Sequence, residues 1–174
     1  MKRRIHDIRW VMFLLSIFLV FMFVMRKTAS EVETLSGGQG VLDLKFAVTP
    51  DKISEALKCY SPVGRAFYRY VFLWVDFVYV LIYCTFYRSA IGYFCDEYGV
   101  EESTDRLLTT LPLVGAFSDI LENNVLFFIL TPNCENTLLF GILTLLNIIK
   151  FVFVYISFTI TLGGFIWLAK KRLS

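Results

Sequence analysis

Four charged side chains stand deep inside stretches otherwise apolar enough to cross a bilayer, Asp76, Asp119, Glu122 and Lys150, with Arg69 nearer the end of one of them. A charge at the bilayer centre costs on the order of 2.5–3.5 kcal/mol on insertion scales, so such groups face protein or water and pair with one another. Three chemistries are open to them. An ammonium and a carboxylate can form a buried pair that fixes which helix faces meet. Acids in excess of bases can hold protons or anchor a ligand. Paired carboxylates can also serve as acid and base on water.

Spacing decides whether these groups can meet. At 3.6 residues per turn, Pro112, Gly115, Asp119, Glu122, Asn123 and Leu126 share one helix face, while Asn124 points elsewhere. Thr144, Asn147, Lys150 and Thr161 share a face by the same arithmetic, and Arg65, Arg69, Asp76, Tyr79, Tyr83 and Tyr87 form a polar and aromatic stripe. Three stripes on three helices predict a common interior. Counted from the outer helix ends, the four charges lie roughly 14–20 Å deep at 1.5 Å per residue. Three acids then face one lysine, with Arg69 nearer the surface as partial compensation. Crowded carboxylates in a low dielectric cannot all stay ionised, so at least one is expected to hold a proton. We expect a Lys150–Glu122 ion pair, with Asp119 or Asp76 as the protonated or shared carboxyl.

The elements that must position these groups follow from composition. The chain has 174 residues, 57% of them hydrophobic, including 18 Phe. A soluble domain of this size exposes too much of its surface to hide that apolar content. Four segments reach the roughly 20 residues that one crossing needs: about 8–25, 66–87, 107–131 and 137–169. They lack barrel alternation, and an isolated strand cannot satisfy its backbone in lipid, so all four read as helices. The expected fold is all-α, a single membrane domain over residues 1–174: a four-transmembrane-helix bundle with a short extracytoplasmic helix in its first loop.

The first segment has the basic start and apolar core of a signal peptide. Arg26 and Lys27 follow it at once without a small-x-small cleavage site, which reads as a retained signal anchor. Lys2, Arg3, Arg4 and Arg9 precede the first helix, and Lys170, Lys171 and Arg172 follow the last. The positive-inside rule therefore places both termini in the cytoplasm of a multi-pass plasma-membrane protein, with Trp10 and Trp167 at the same interface. Against this, the first loop (about 26–65) carries Arg26, Lys27, Lys45, Lys52, Lys58 and Arg65.

That loop opens with a flexible SGGQG. In LDLKFAV, Leu42, Leu44, Phe46 and Val48 alternate with Asp43 and Lys45, the period of a short strand. TPDKISEALKCY reads as a capped helix, with Thr49 as N-cap, Pro50 at the first helical position and Asp51 complementing the dipole. Its apolar face is Ile53, Ala56, Leu57 and Tyr60. The acidic second loop, about 88–106, reads as solvated, and PNCEN as a tight turn between the last two helices.

Of the cysteines, Cys59 and Cys134 fall on the same outer face, so a disulfide could join them if that compartment oxidises. No CxxC is present and His6 is the single histidine, so neither a metal site nor a cofactor is expected. A net charge of +2 gives no support to nucleic-acid binding.

The stretches LDLKFAVTP (Leu42–Pro50), GRAFYRY (Gly64–Tyr70) and LPLVGAFSDILEN (Leu111–Asn123), with Asp76 and Lys150, resemble a set of uncharacterised four-helix membrane proteins, mainly bacterial. The resemblance implies the bundle and directs attention to Asp119, Glu122 and Asn123. It implies no activity.

Three functions compete on these residues. The first is a structural or accessory membrane protein with a buried ionic network and the lipid bilayer, a membrane-protein partner or a second copy as its neighbours. Thr159 and Gly163 would offer small residues for close helix contact. The second is a binder or carrier of a small amphiphile or protons, with Phe72, Tyr79 and Tyr83 as pocket wall and Asp76, Asp119 and Glu122 as anchors. The third, and weakest, is an intramembrane hydrolase built on paired carboxylates.

Overall fold

The computed structural model describes residues 7–132, 134 and 136–173, and the side chain of Arg172 lies outside that description. Its elements are α1 (Ile8–Leu35), α2 (Pro50–Cys59), α3 (Pro62–Phe67), α4 (Leu73–Tyr98), α5 (Glu102–Ile129) and α6 (Thr137–Leu173). A π-helical turn, Tyr68–Phe72, joins α3 to α4, so Pro62–Tyr98 forms one continuous helical span. Among the described residues four spans are long and apolar enough to cross a membrane, and the protein is an all-helical multi-pass membrane protein.

Each long helix extends past its apolar run, because helix-compatible polar residues carry the backbone on once lipid no longer demands it. The run in α1 gives way to KTASEVETL, rich in good helix formers, and helix persists to Leu35. Asp7 caps the other end by accepting a hydrogen bond from the Arg9 amide at 3.0 Å. The acidic stretch 88–106 is corrected most. It is helical up to Tyr98, with Ala90, Ile91, Tyr93 and Phe94 buried, and the loop shrinks to residues 99–101. Gly99 stops α4 in the left-handed conformation, at φ 67°.

LDLKFAV forms turns, not a strand. A lone strand has no neighbour for its amides and carbonyls, and Leu44 and Phe46 stay exposed while Val41, Leu42, Asp43 and Val48 are buried. α2 begins at Pro50 with Asp51 in its first turn, although the Thr49 side chain makes no capping bond. Ile53, Ala56, Leu57 and Tyr60 face inward, as their spacing predicts. Of the expected PNCEN turn, Asn133 and Glu135 lie outside the described residues.

α4, α5 and α6 pack on one another, and α1 packs along α4. Phe18 of α1 inserts between Tyr79, Phe86 and Tyr87, with ring centroids 5.2–5.8 Å away. Near the C-terminal end of α6, Gly164 lies against the Phe94 ring, so closely that an added Cβ would fall 2.3 Å from it. At Gly64 a Cβ would lie 2.5 Å from the Leu35 carbonyl, so the start of α3 can approach the end of α1 only without a side chain.

Two apolar clusters form. One joins the first loop and α2 to Tyr68, Phe72, Leu126 and Leu143; the other gathers Val11, Leu14, Val80, Tyr83, Phe86, Phe94 and Ala116. Asp76 falls between Phe72 and Val80 along the chain, and Asp119 to Asn123 fall between Ala116 and Leu126. The polar residues therefore occupy the level between the clusters.

Candidate functional site

Lys150 of α6 lies at the centre. Its Nζ is 2.5 Å from Glu122 Oε2 and 3.2 Å from Asp119 Oδ1, and it donates to the Asp43 carbonyl at 2.9 Å. Glu122 is fully buried. Its other oxygen accepts a hydrogen bond from Asn147 Nδ2 at 2.9 Å. The second oxygen of Asp119 accepts from the Tyr83 hydroxyl at 2.9 Å. Asp76 accepts from Asn123 Nδ2 at 2.6 Å. Helices α4, α5 and α6 thus each contribute side chains to one contiguous polar layer, and one turn's spacing on α5 sets both acids against a single ammonium.

Face arithmetic on helices could not reach the fourth contributor, the first loop. Asp43 is buried, and its Oδ1 accepts a hydrogen bond from Tyr68, whose oxygen in turn accepts from the Leu42 amide at 3.0 Å. Asn147 holds the same loop at two points, donating to the Asp43 carbonyl at 3.3 Å and accepting from the Ala47 amide at 2.8 Å. The Thr144 hydroxyl adds a bond to the Val48 carbonyl at 2.7 Å. Asp43 and Tyr68 were both missed by sequence reasoning. The available hint was an acid bracketed by Leu42 and Leu44, which the strand pattern absorbed. Burial pushes the Asp43 carboxyl above the ordinary carboxylate range, outweighing the opposing pull of Lys150 and of the Tyr68 hydroxyl. Burial likewise raises Tyr60, whose hydroxyl donates to the Gly40 carbonyl.

Beside the layer is a cavity of about 170 Å³. Asp43, Asp76, Asp119 and Lys150 border it on one side, and Phe18, Tyr79, Tyr83, Tyr87 and Phe151 supply rings around it. Tyr79 and Tyr83 meet edge to face at 5.7 Å. Leu44 and Tyr79 separate the cavity from a larger open groove, about 740 Å³, along α1 and the start of the loop. Asp43 Oδ2, Asp119 Oδ1 and Asn123 Oδ1 are buried acceptors without a hydrogen-bond donor, although Asp119 Oδ1 faces Lys150. Native interiors rarely leave such atoms unserved without a reason.

Several residues expected at the site lie elsewhere. Among the described residues Arg69 forms no ion pair with the layer's acids: its guanidinium lies 4.0 Å from the Phe127 ring and 5.2 Å from that of Tyr70. Phe72 is not a cavity wall, being fully buried against Tyr68 in the first apolar cluster. Asn124, which the helical period sets apart from that face, is exposed as expected and donates back to the Ile120 carbonyl. Cys59 and Cys134 are free thiols. Cys59 is exposed and accepts a hydrogen bond from Gln39, while Cys134 packs against the first apolar cluster. Thr161 is buried with its hydroxyl unpaired, away from Lys150. Among the described residues no group of three or more His, Cys, Asp or Glu is placed to hold a metal.

Comparison with protein-family models, with curated proteins and with solved structures finds no match. The resemblance to four-helix membrane proteins therefore rests on short motifs, and the site is read from its own geometry.

Proposed function

We propose that this multi-pass membrane protein binds a small amphiphile in an intramembrane cavity, with the Lys150 network as the frame of the site. The observation that carries the reading is the cavity itself. A network serving only to join helices would close on its own donors and acceptors. Here it borders a space with an apolar, aromatic wall and a few convergent polar groups, the usual mixture of a ligand site. An acid–base pair acting on water is less well served, because Lys150 engages Asp119 and Glu122 together.

In this reading the protein lies in the plasma membrane with both termini cytoplasmic, and the Asp43 loop and α2 are extracytoplasmic. The basic residues at the two chain ends support that orientation. A structural or accessory role has one specific observation in its favour: Thr159 and Gly163 are exposed on α6, and a Cβ at Gly163 would meet nothing within 4 Å. That face is free for a partner or a second copy.

The test is thermal unfolding of the full chain in mild detergent against single-ring amphiphiles. Saturable stabilisation by at least one of them, abolished in Asp119→Asn, is the expected result. Stabilisation by none, or equal stabilisation of wild type and variant, overturns the reading.

A further inference from the structure

We propose that the cavity selects a small organic amine, held as its ammonium between Asp43, Asp76 and the surrounding aromatic rings. The inference rests on the binding role proposed above and names the chemistry of the ligand.

Charge count comes first. Lys150 is shared by Asp119 and Glu122. Asp43 and Asp76 also border the cavity, and among the described residues neither has a Lys or Arg within ion-pair distance. Their side-chain bonds come from neutral groups, Tyr68 and Asn123. Asp43 is 1% exposed, and its Oδ2 has no hydrogen-bond donor. A buried carboxylate oxygen with neither an ion-pair partner nor a donor of its own, as Asp43 Oδ2 is, is served by a cationic N–H group or by a proton.

The wall chemistry points the same way. Tyr79, Tyr83, Tyr87, Phe18 and Phe151 present ring surface around the space, and ring faces attract cations, the arrangement used to recognise ammonium ligands. Size narrows the class further. An apolar protein cavity of about 150 Å³ holds one benzene ring, and this one, at about 170 Å³, has room for a ring with a short chain.

Access fits a lipid-soluble amine. Phe18 belongs to α1, and Phe151 and Val154 to α6, yet among the described residues α1 and α6 form no extended interface. In this proposal the ligand enters between these two helices, from the bilayer. An amine crosses lipid as the neutral base. In the cavity its nitrogen lone pair takes the proton from the carboxyl O–H of Asp43 or Asp76, leaving an ammonium–carboxylate pair. No charge is created or lost overall, and no other reactant is needed.

The experiment uses the purified full chain in mild detergent with three probes of one shape and different charge: benzylamine, benzyl alcohol and benzoate. Benzylamine is expected to raise the unfolding temperature saturably, with an apparent Kd about tenfold below that of benzyl alcohol, and benzoate to have no effect. Asp76→Asn is expected to remove the preference for the amine. Because that variant touches the polar layer, Tyr79→Leu is measured beside it. It removes one ring of the wall and is expected to weaken the amine more than the alcohol, a difference that loss of packing alone would not produce. Equal response to amine and alcohol, or a preference for benzoate, overturns the amine assignment and leaves the binding role standing. No response to any of the three overturns both.

Discussion

Replacing Lys150 by Met keeps the length and apolar stem of the side chain and deletes its charge. In the wild type the ammonium serves three oxygens: Glu122 Oε2 at 2.5 Å, Asp119 Oδ1 at 3.2 Å and the Asp43 carbonyl at 2.9 Å. All three donors are removed at once. Glu122 keeps only Asn147, and Asp119 keeps only Tyr83. The lysine side chain is 7% exposed and that of Glu122 0%, so water cannot take over its role. Removing one partner of a buried pair costs about 3–5 kcal/mol, or about two to three and a half orders of magnitude in the unfolding constant. The assay is equilibrium unfolding in mixed micelles, run also on Glu122→Gln and on the double variant. With Glu122 already neutral, Lys150→Met has less charge to strand, so the double variant should fall short of the summed single losses by about 0.5–3 kcal/mol. A Lys150→Met protein within about 0.5 kcal/mol of wild type, or strictly additive losses, would refute the network as drawn.

Tyr83→Phe removes the hydroxyl that donates to Asp119 at 2.9 Å, and hydrogen bonds to charged groups contribute about 1.5–3 kcal/mol; unfolding in micelles should show a loss of that size, and no loss would mean the bond is not made. Gly164→Ala sets a Cβ into the buried Phe94 ring and should cost about 1–3 kcal/mol, while Gly163→Ala, which meets nothing, should stay within about 0.5 kcal/mol. Equal effects of the two substitutions would place the α4–α6 contact elsewhere. The Asp43 carboxyl is raised in the folded state above the value of about 3.9 it has in the unfolded chain. The folded state therefore holds the proton longer, and the stability this gives is full below pH ~4 and is lost as pH rises through the folded value. In Asp43→Asn that part of the pH dependence should vanish; a variant whose stability still falls over the same window as steeply as wild type would assign the effect to other acids.

The bundle was legible because lipid imposes a length and a polarity on each span, and both are countable. The meeting of Glu122 with Lys150 was legible for a related reason. Helical period places Asp119 and Glu122 on one face, and burying them calls for the lysine that the next helix carries at a matching depth. Asp43 was not legible. It reaches the site from a loop without period, across more than 100 residues to Asn147 and Lys150, through its backbone carbonyl as much as its side chain. Its burial depends on Tyr68, placed by the π-helical turn that begins at that residue, and no residue pattern announced the turn. Arg69 failed for the opposite reason: charge arithmetic assigned it to the acids, while its guanidinium settled on the Phe127 ring. The helix ends were misjudged because hydropathy reports where lipid stops, not where the helix does.

The distribution of the ionic layer over α5 and α6 also bears on how the chain is made. Synthesis delivers α5 first, with Asp119 and Glu122 in the least apolar of the four spans. Those acids raise the cost of leaving the translocon by about 2.5–3.5 kcal/mol each. Their lysine does not exist until some thirty residues later, on the far side of a seven-residue connection, 130–136. A nascent chain truncated at Leu130 and carrying a glycosylation reporter should therefore insert α5 poorly, and one extended through α6 should insert it well. Unchanged insertion of the truncated chain would show that α5 needs no help. In biogenesis the two helices then behave as one hairpin, and Lys150 acts as the late-arriving counter-charge that commits its predecessor to the bilayer.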